Sequence, residues 1–447
     1  MGKFKPKAKS KSKSKEKQSS SIAKDNENSI TNVEETDAFS KIQAGAEILL
    51  EVVSRLPPKD IFKIKSVSKG IHNLTTKPEF AAKHFLNCKA LSANLTGFFC
   101  QFVDSEYFYD PEFIPIEPDA DRLPDTLLNF LKDGKNNSYD VVKVFDSCNG
   151  LLLCCIYTGK KKVKTYLVCN PLTKECVALP FHNKRSNKFY YALLAETTYA
   201  GYFTYKVVCV LTPKDNDFCS ILLVFSSETG EWKEFEESLP ALCYESMMGS
   251  KVVSNSKLFW DCLEGHILVC HLNKNGASQR CYELIQSPRA PLGRSLWKSK
   301  DKLFCYCQGF DNEFPVWSLS LNKEKELEWK VEGCKEFEML NEDLSKEFAS
   351  GLTQATKGPK PRVGFKIIGF KPESNLIYLW KPDLIIKYDF IERDLEILWG
   401  YGGAPLPSRI LPYVHSFAKM SEKSNSYVDV ERNKRKTRCK NAASRSQ

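Results

Sequence analysis

From about residue 90 to 420 this 447-residue chain repeats one arrangement, and a repeat restricts the available folds more than any single segment does. A small or polar pair leads into an apolar run at Asn149-Gly150-Leu151-Leu152, Lys257-Leu258-Phe259-Trp260, Lys302-Leu303-Phe304-Cys305 and Asn375-Leu376-Ile377-Tyr378. A second run follows, ends in a charged or Pro-containing turn, and returns. The clearest examples are YLVCNPLTKECVALP (166–180), LLVFSSETGEWKEF (222–235), VWSLSLNKEKELEWKVE (316–332) and IIKYDFIERDLEIL (385–398). Their turns sit near Pro171, Glu228, Lys323 and Glu392, with a further one near Lys274. Glu228 to Lys323 is two units of ~48 residues. Antiparallel strands at that period make propeller blades, and the available length predicts about six. A sandwich of two sheets is the alternative, but its units do not normally repeat at this length. Trp232 and Trp329 follow turns on returning strands, where a large aromatic fills the gap between neighbouring blades.

The N-terminal part reads differently. Residues 47–74, EILLEVVSRLPPKDIFKIKSVSKGIHNL, place Ile48, Leu49, Val52, Val53 and Leu56 on one helical stripe. Pro57-Pro58 ends that helix, Asp60 is positioned to cap a second one carrying Ile61, Phe62 and Ile64, and Val67-Ser68-Lys69 opens a third. A block of roughly 40 residues cannot hide that much apolar surface alone, so a protein partner is expected. The predicted fold is therefore α+β and multidomain: a small three-helix domain over 44–88, then an all-β propeller over 90–420.

The net positive charge is confined to the ends. Residues 1–17 carry +7 and residues 431–447 carry +6 of a total of +10, which leaves −3 for everything between. A nucleic-acid-binding domain would carry its charge on a folded face. Residues 1–40 and 421–447 instead read as disordered basic tails with a nuclear-import character, so the expected residence is nucleus, cytoplasm or both, with no specific nucleic-acid partner. No apolar run approaches the ~20 residues of a membrane span, and the N-terminus has no apolar signal core. The odd number of cysteines, 17, reads as reduced thiols. Cys262, His266 and Cys270 have a ligand-like spacing, but their context predicts two strands around Glu264-Gly265, which separates them, so no metal or other cofactor is expected. No Gly-x-Ser-x-Gly, phosphate-binding Gly loop or His-Glu-x-x-His occurs, and the six His are scattered. The expectation is a protein that is not an enzyme.

Two motif sets carry a family resemblance. Glu47-Ile48-Leu49, Val52-Val53-Ser54-Arg55-Leu56-Pro57 and Val67-Ser68-Lys69 resemble the F-box of plant F-box proteins in order and spacing, with Ala44-Gly45 and Ile71 where that family has Leu-Pro and Trp. Asp146-Ser147-Cys148-Asn149-Gly150-Leu151, Asn170-Pro171-Leu172-Thr173-Lys174, Ser226-Ser227-Glu228-Thr229-Gly230-Glu231-Trp232 and Leu411-Pro412-Tyr413-Val414 resemble the Kelch-like F-box-associated domain. The resemblance implies a substrate-recognition subunit of a cullin-based ubiquitin ligase. Its F-box would dock a Skp-type adaptor, and through it a cullin, while the propeller would bind a target protein. Leu49, Val52, Leu56, Pro57, Ile61 and Val67 are the expected adaptor-facing residues. The alternative is a non-catalytic propeller scaffold for protein or glycan that assembles no ligase.

Overall fold

In the computed structural model the described residues are 45–420, with breaks at 91–94, 103–108, 118–122, 124, 133–140, 159–162, 183–185, 214–219, 240–250, 255–256, 263–264, 272–281, 289–294, 300–301, 307–315, 322–326, 333–342, 344–365, 372–374, 382–383 and 401–406. Both expected basic tails lie outside the described residues.

The chain divides into two units, 1–53 and 54–447. The first contains helix α1 (45–53). In the second, α2 (Pro58–Val67), α3 (Lys69–Thr75) and α4 (Pro78–Ala90) precede the strands. Three helices were expected and four are present. Asp60 is not the cap of α2. Pro57 occupies that position in an extended conformation, and its carbonyl accepts from the N–H groups of Asp60 at 3.0 Å and Ile61 at 3.1 Å. Pro58 then starts the helix, where a missing N–H costs nothing. Asp60 lies in the first turn and pairs loosely with Lys63 at 3.4 Å. Ser68, extended at φ −138°, ends α2 and opens α3.

The strands form six sheets among the described residues. β3 (Val141–Cys148), β4 (Leu151–Thr158), β5 (Val163–Asn170) and β6 (Glu175–Ala178) make one four-stranded meander. The next sheet contains β7 (Ser186–Thr197), β8 (Tyr202–Pro213), β9 (Ser220–Ser226) and β10 (Glu231–Leu239). β11 (Lys251–Ser254) to β14 (Tyr282–Gln286) follow, then β15 (Ser295–Ser299) to β18 (Leu327–Glu332), then β19 (Lys366–Lys371) to β22 (Asp394–Gly400). The sixth sheet joins the two ends of the propeller: β1 (Leu95–Phe102) pairs with β2 (Glu112–Pro115) on one side and with β23 (Pro407–Val414) on the other. The fold is thus a six-bladed propeller whose last blade is closed by β23. β2 is a strand of only four residues, bracketed by Pro111 and Glu117.

Each blade hides one face against the next. Apolar clusters span five sheet pairs, for example Leu151, Val168, Phe203, Val207 and Phe225 between the β3–β6 and β7–β10 sheets, and Leu258, Trp260 and Cys270 against Val208 and Leu222 between the β7–β10 and β11–β14 sheets. At ~25 cal/mol per Å² this repeated burial is the main stabilising term. The two tryptophans act at blade junctions as expected. Trp232 on β10 donates its indole N–H to the Pro180 carbonyl at 2.9 Å, and Trp329 on β18 does the same to Gln286 at 2.9 Å. Each bond runs from the outer strand of one sheet to the end of the sheet before it. The ring closure is polar as well: Val144 N–H donates to Gln101 Oε1 at 2.9 Å, and Arg409 donates to the Phe145 carbonyl at 2.7 Å.

Strand parity assigns the loops to faces. In an antiparallel meander the first-to-second and third-to-fourth turns share one face. The second-to-third loops and the connections between sheets share the other. Asn149-Gly150 is a first-to-second turn with both φ values positive, 48° and 96°, as a two-residue hairpin requires. A Cβ on Gly150 would lie 2.5 Å from the Ser416 side chain, so the motif also makes room for the segment after β23.

Candidate functional site

The expected adaptor-facing residues divide into two groups. On α1, Leu49 and Val52 are 39% and 55% exposed, and Ile48, which was not among them, is 66% exposed. Helical spacing puts 48, 49 and 52 on one face. The signal for Ile48 was present, since it heads the same stripe. Val53 on that stripe is buried. In the second unit, Pro57 is exposed, Leu56 is half-buried and Val67, the last residue of α2, is 83% exposed. Ile61 is fully buried and is corrected to a core residue. It sits one turn into α2 on the inward face, and periodicity alone does not separate that face from an accessible one. Ile71, where an F-box usually has Trp, is half-buried in α3.

Helices α2 to α4 are seated on the propeller through a small aromatic cluster. Phe417, three residues after β23, lies 5.6 Å from Phe62, 5.7 Å from Phe80 and 5.0 Å from His84, centroid to centroid, with the last two edge-on. Phe80 is fully buried. His84 donates from Nε2 to the Leu56 carbonyl at 3.3 Å and thereby ties α4 to the turn before α2, and Asn87 donates to Ser54 Oγ at 2.8 Å from the same helix. Burial holds the His84 pKa down at about 4 against that hydrogen bond, and burial together with the neighbouring His84 holds His415 at about 3. Both imidazoles are therefore neutral at pH 7. Gly201, at φ 77° in the β7–β8 turn, lets that turn run against the Pro78 backbone, and any Cβ there would meet the Pro78 carbonyl oxygen.

The segment carrying Phe417 is itself fixed by Asn170. Its buried Nδ2 donates to the carbonyls of Ser416 at 2.9 Å and Ala418 at 3.0 Å, while its Oδ1 accepts from the N–H of Leu172 at 3.0 Å. The Asn-Pro-x-Thr motif is thus a structural latch. Asn149 of the other motif likewise donates to the Ala195 carbonyl at 2.6 Å. All of these groups belong to first-to-second turns, third-to-fourth turns or the exit of the innermost strand. Helices α2 to α4 therefore meet that face of the propeller.

Nothing described here resembles a metal site. Cys262 and His266 face each other across the β12 (Lys257–Asp261) and β13 (His266–His271) hairpin through a backbone bond of 3.0 Å, and no group of three potential metal ligands occurs among the described residues. No helix among the described residues is long and apolar enough to cross a membrane.

Four N-terminal helices followed by a six-bladed propeller define an F-box protein of the propeller type. The F-box domain model matches residues 46–83, and the model for "F-box protein At3g26010-like, beta-propeller" matches residues 118–384, more than half of the chain. The chain belongs to this family of F-box β-propeller proteins. Similar proteins from Arabidopsis thaliana include F-box protein At5g49610, 28% identical over 48% of this chain and 57% of that one, and F-box protein At5g07610, 24% identical over 79% and 84%. The chain thus spans little more than half the length of the first of these. A putative F-box/kelch-repeat protein, At3g17570, is 26% identical over 49% of this chain and 54% of its own. Among solved structures, a chain of a nidogen–laminin complex aligns with TM-score 0.38 and 10% identity over 72% of this chain and 99% of that one, a likeness too distant to inform function.

Proposed function

We propose that this protein is the substrate-recognition subunit of an SCF-type cullin ubiquitin ligase, and that it carries no catalytic residue of its own. The carrying observation is the order of parts on one chain, an F-box at 46–83 ahead of a propeller at 118–384. The aliphatic residues left outside the F-box helices support the docking half of the reading. Leu49, Val52, Leu56, Pro57 and Val67 meet a Skp-type adaptor, and Ile48 joins them. The propeller then presents a target protein, so that a lysine of the target reacts with ubiquitin at a high effective concentration. The seat around Phe417 supports this role, because fixed helices give a held target a defined direction relative to the adaptor.

Co-expression with a Skp-type adaptor and affinity capture tests the reading. Wild type recovers adaptor. Burial of one aliphatic side chain is worth about 1.5–3 kcal/mol, so Val52→Lys and Leu56→Lys reduce recovery by tenfold or more. Val52→Lys is the cleaner variant, because Val52 is exposed whereas the Leu56 side chain is half-buried. Absence of adaptor from wild type, with the propeller folded, would leave a propeller scaffold that assembles no ligase. Equal recovery by wild type and Val52→Lys would remove Val52 from the docking set.

A further inference from the structure

Three cysteines share one face of the β3–β6 sheet. Cys169 on β5 is the direct register partner of Cys176 on β6. On its other side Cys169 faces Leu152 of β4, so Cys154, two residues further along β4, lies diagonally across from it. Direct partners, and residues two apart in a strand, point to the same side of a sheet. Cys154 and Cys169 are fully buried with their sulfurs 3.9 Å apart, and Cys176 is half-buried. Burial raises the Cys169 thiol well above its ordinary pKa and keeps it protonated. Cys176, the least buried of the three, is where a small oxidant enters.

Backbone spacing decides which pair can be joined. A disulfide needs Cα atoms about 4.4–6.8 Å apart. Direct partners in an antiparallel ladder stand about 4.5–5.5 Å apart, whereas diagonal neighbours stand at ~7–8 Å. Cys169 and Cys176 are thus joined without moving the strands, even though the Cys154 sulfur is near. Rotation of the Cys169 side chain about its Cα–Cβ bond turns its sulfur from Cys154 toward Cys176.

The turn between these two cysteines grips the segment on which α2 to α4 rest. Asn170, next to Cys169, donates to the carbonyls of Ser416 and Ala418, and Glu175, next to Cys176, accepts from the Met420 N–H at 2.9 Å. Lys174 N–H closes the turn on the Asn170 carbonyl at 2.8 Å. Phe417, with its contacts to Phe62, Phe80 and His84, lies between those grips in the chain. A bond from Cys169 to Cys176 fixes the two flanks of the turn relative to each other, and with them both grips.

We propose that hydrogen peroxide joins Cys169 and Cys176 in a reversible disulfide, and that this bond tightens the seat of α2 to α4 on the propeller. The Cys176 sulfur attacks one peroxide oxygen, the O–O bond breaks, and the other oxygen leaves with the thiol proton as water. Cys176 is then a sulfenic acid. The Cys169 sulfur attacks it, the S–S bond forms, and the hydroxyl leaves with the Cys169 proton as a second water. Two thiols give up two electrons and one peroxide takes them. A reducing dithiol reverses the step by exchange.

Peptide mapping of the full chain tests this without any adaptor, and so independently of the ligase reading. The protein is treated with hydrogen peroxide, its remaining thiols are blocked with N-ethylmaleimide in denaturant, and trypsin is added. Cleavage after Lys164, Lys174 and Lys184 puts Cys169 and Cys176 on separate peptides, 165–174 and 175–184, with no other cysteine on either. The expected product is these two peptides joined, and dithiothreitol separates them. Cys176→Ser abolishes the link, while Cys154→Ala leaves it intact. Limited proteolysis reads the consequence: α2 to α4 are released several-fold more slowly from oxidised than from reduced wild type, and Cys176→Ser shows no difference. Recovery of both peptides unlinked, or of Cys169 linked to Cys154, would overturn the proposal, and wild type alone decides this even if a variant fails to fold. Equal release before and after oxidation, with the link present, would overturn its effect on the seat.

Discussion

The F-box helices and the propeller treat apolar residues in opposite ways. Val67, Ile48 and Val52 stand 83%, 66% and 55% exposed, whereas Trp260, Tyr378, Tyr388 and Ile377 in the blades are fully buried. The propeller satisfies itself, since each sheet covers the face its neighbour would otherwise expose. The helices are too few to do so, and they leave aliphatic side chains outward. Folding and the proposed docking thus rest on separate sets of residues, and they can be broken separately.

Changes inside the blades have the largest effect on stability. Trp260→Ala removes a fully buried indole from the seam between two blades and lowers unfolding free energy by about 3–5 kcal/mol, read by chemical denaturation. A loss under ~1 kcal/mol would mean that the seam contributes little. Asn170→Ala comes next. It leaves two buried carbonyls and a turn N–H without their partner and costs about 2–3 kcal/mol, and it also loosens the seat of α2 to α4, which limited proteolysis would detect. Unchanged proteolysis would show that the seat does not depend on the latch.

The smallest effect is a pH dependence at that seat. His84 and His415 have folded pKa values near 4 and 3, below the unfolded value of 6.5. The unfolded chain therefore takes up protons first as pH falls. Stability is unaffected above about pH 6.5 and declines from there toward pH 4, by roughly 1 kcal/mol per histidine at pH 6. Denaturation at pH 7.5 and 6 shows the drop, and His415→Leu makes the slope shallower. A slope equal to wild type in that variant would exclude His415 as a contributor.

Much of the propeller was legible because its second, third and fourth strands alternate plainly and meet in polar turns. Leu151, Lys257, Lys302 and Leu376 open β4, β12, β16 (Lys302–Tyr306) and β20 (Leu376–Lys381) as the repeat indicated. The innermost strands were harder to see. They face a central cavity lined in part by Lys143, Lys251, Lys366 and Arg409, and a charged residue on the inner face breaks the apolar pattern. The cavity itself could not be read, since these four residues meet only when four blades close into a ring. In the helices the stripe was visible, but a stripe does not say which of its residues turn inward, and Ile61 does.

The pairing of β1 with β23 joins residues such as Thr96 and Tyr413, whose hydrogen bond spans 317 positions. On the ribosome, β1 must wait for nearly the whole propeller to be translated before its neighbour arrives, and Phe417, on which the F-box helices rest, emerges later still. A chain that stops before residue 407 has helices with no seat and a ring with a missing inner strand. Completion of synthesis and closure of the ring are therefore the same event, and an unfinished product cannot hold α2 to α4 against their seat.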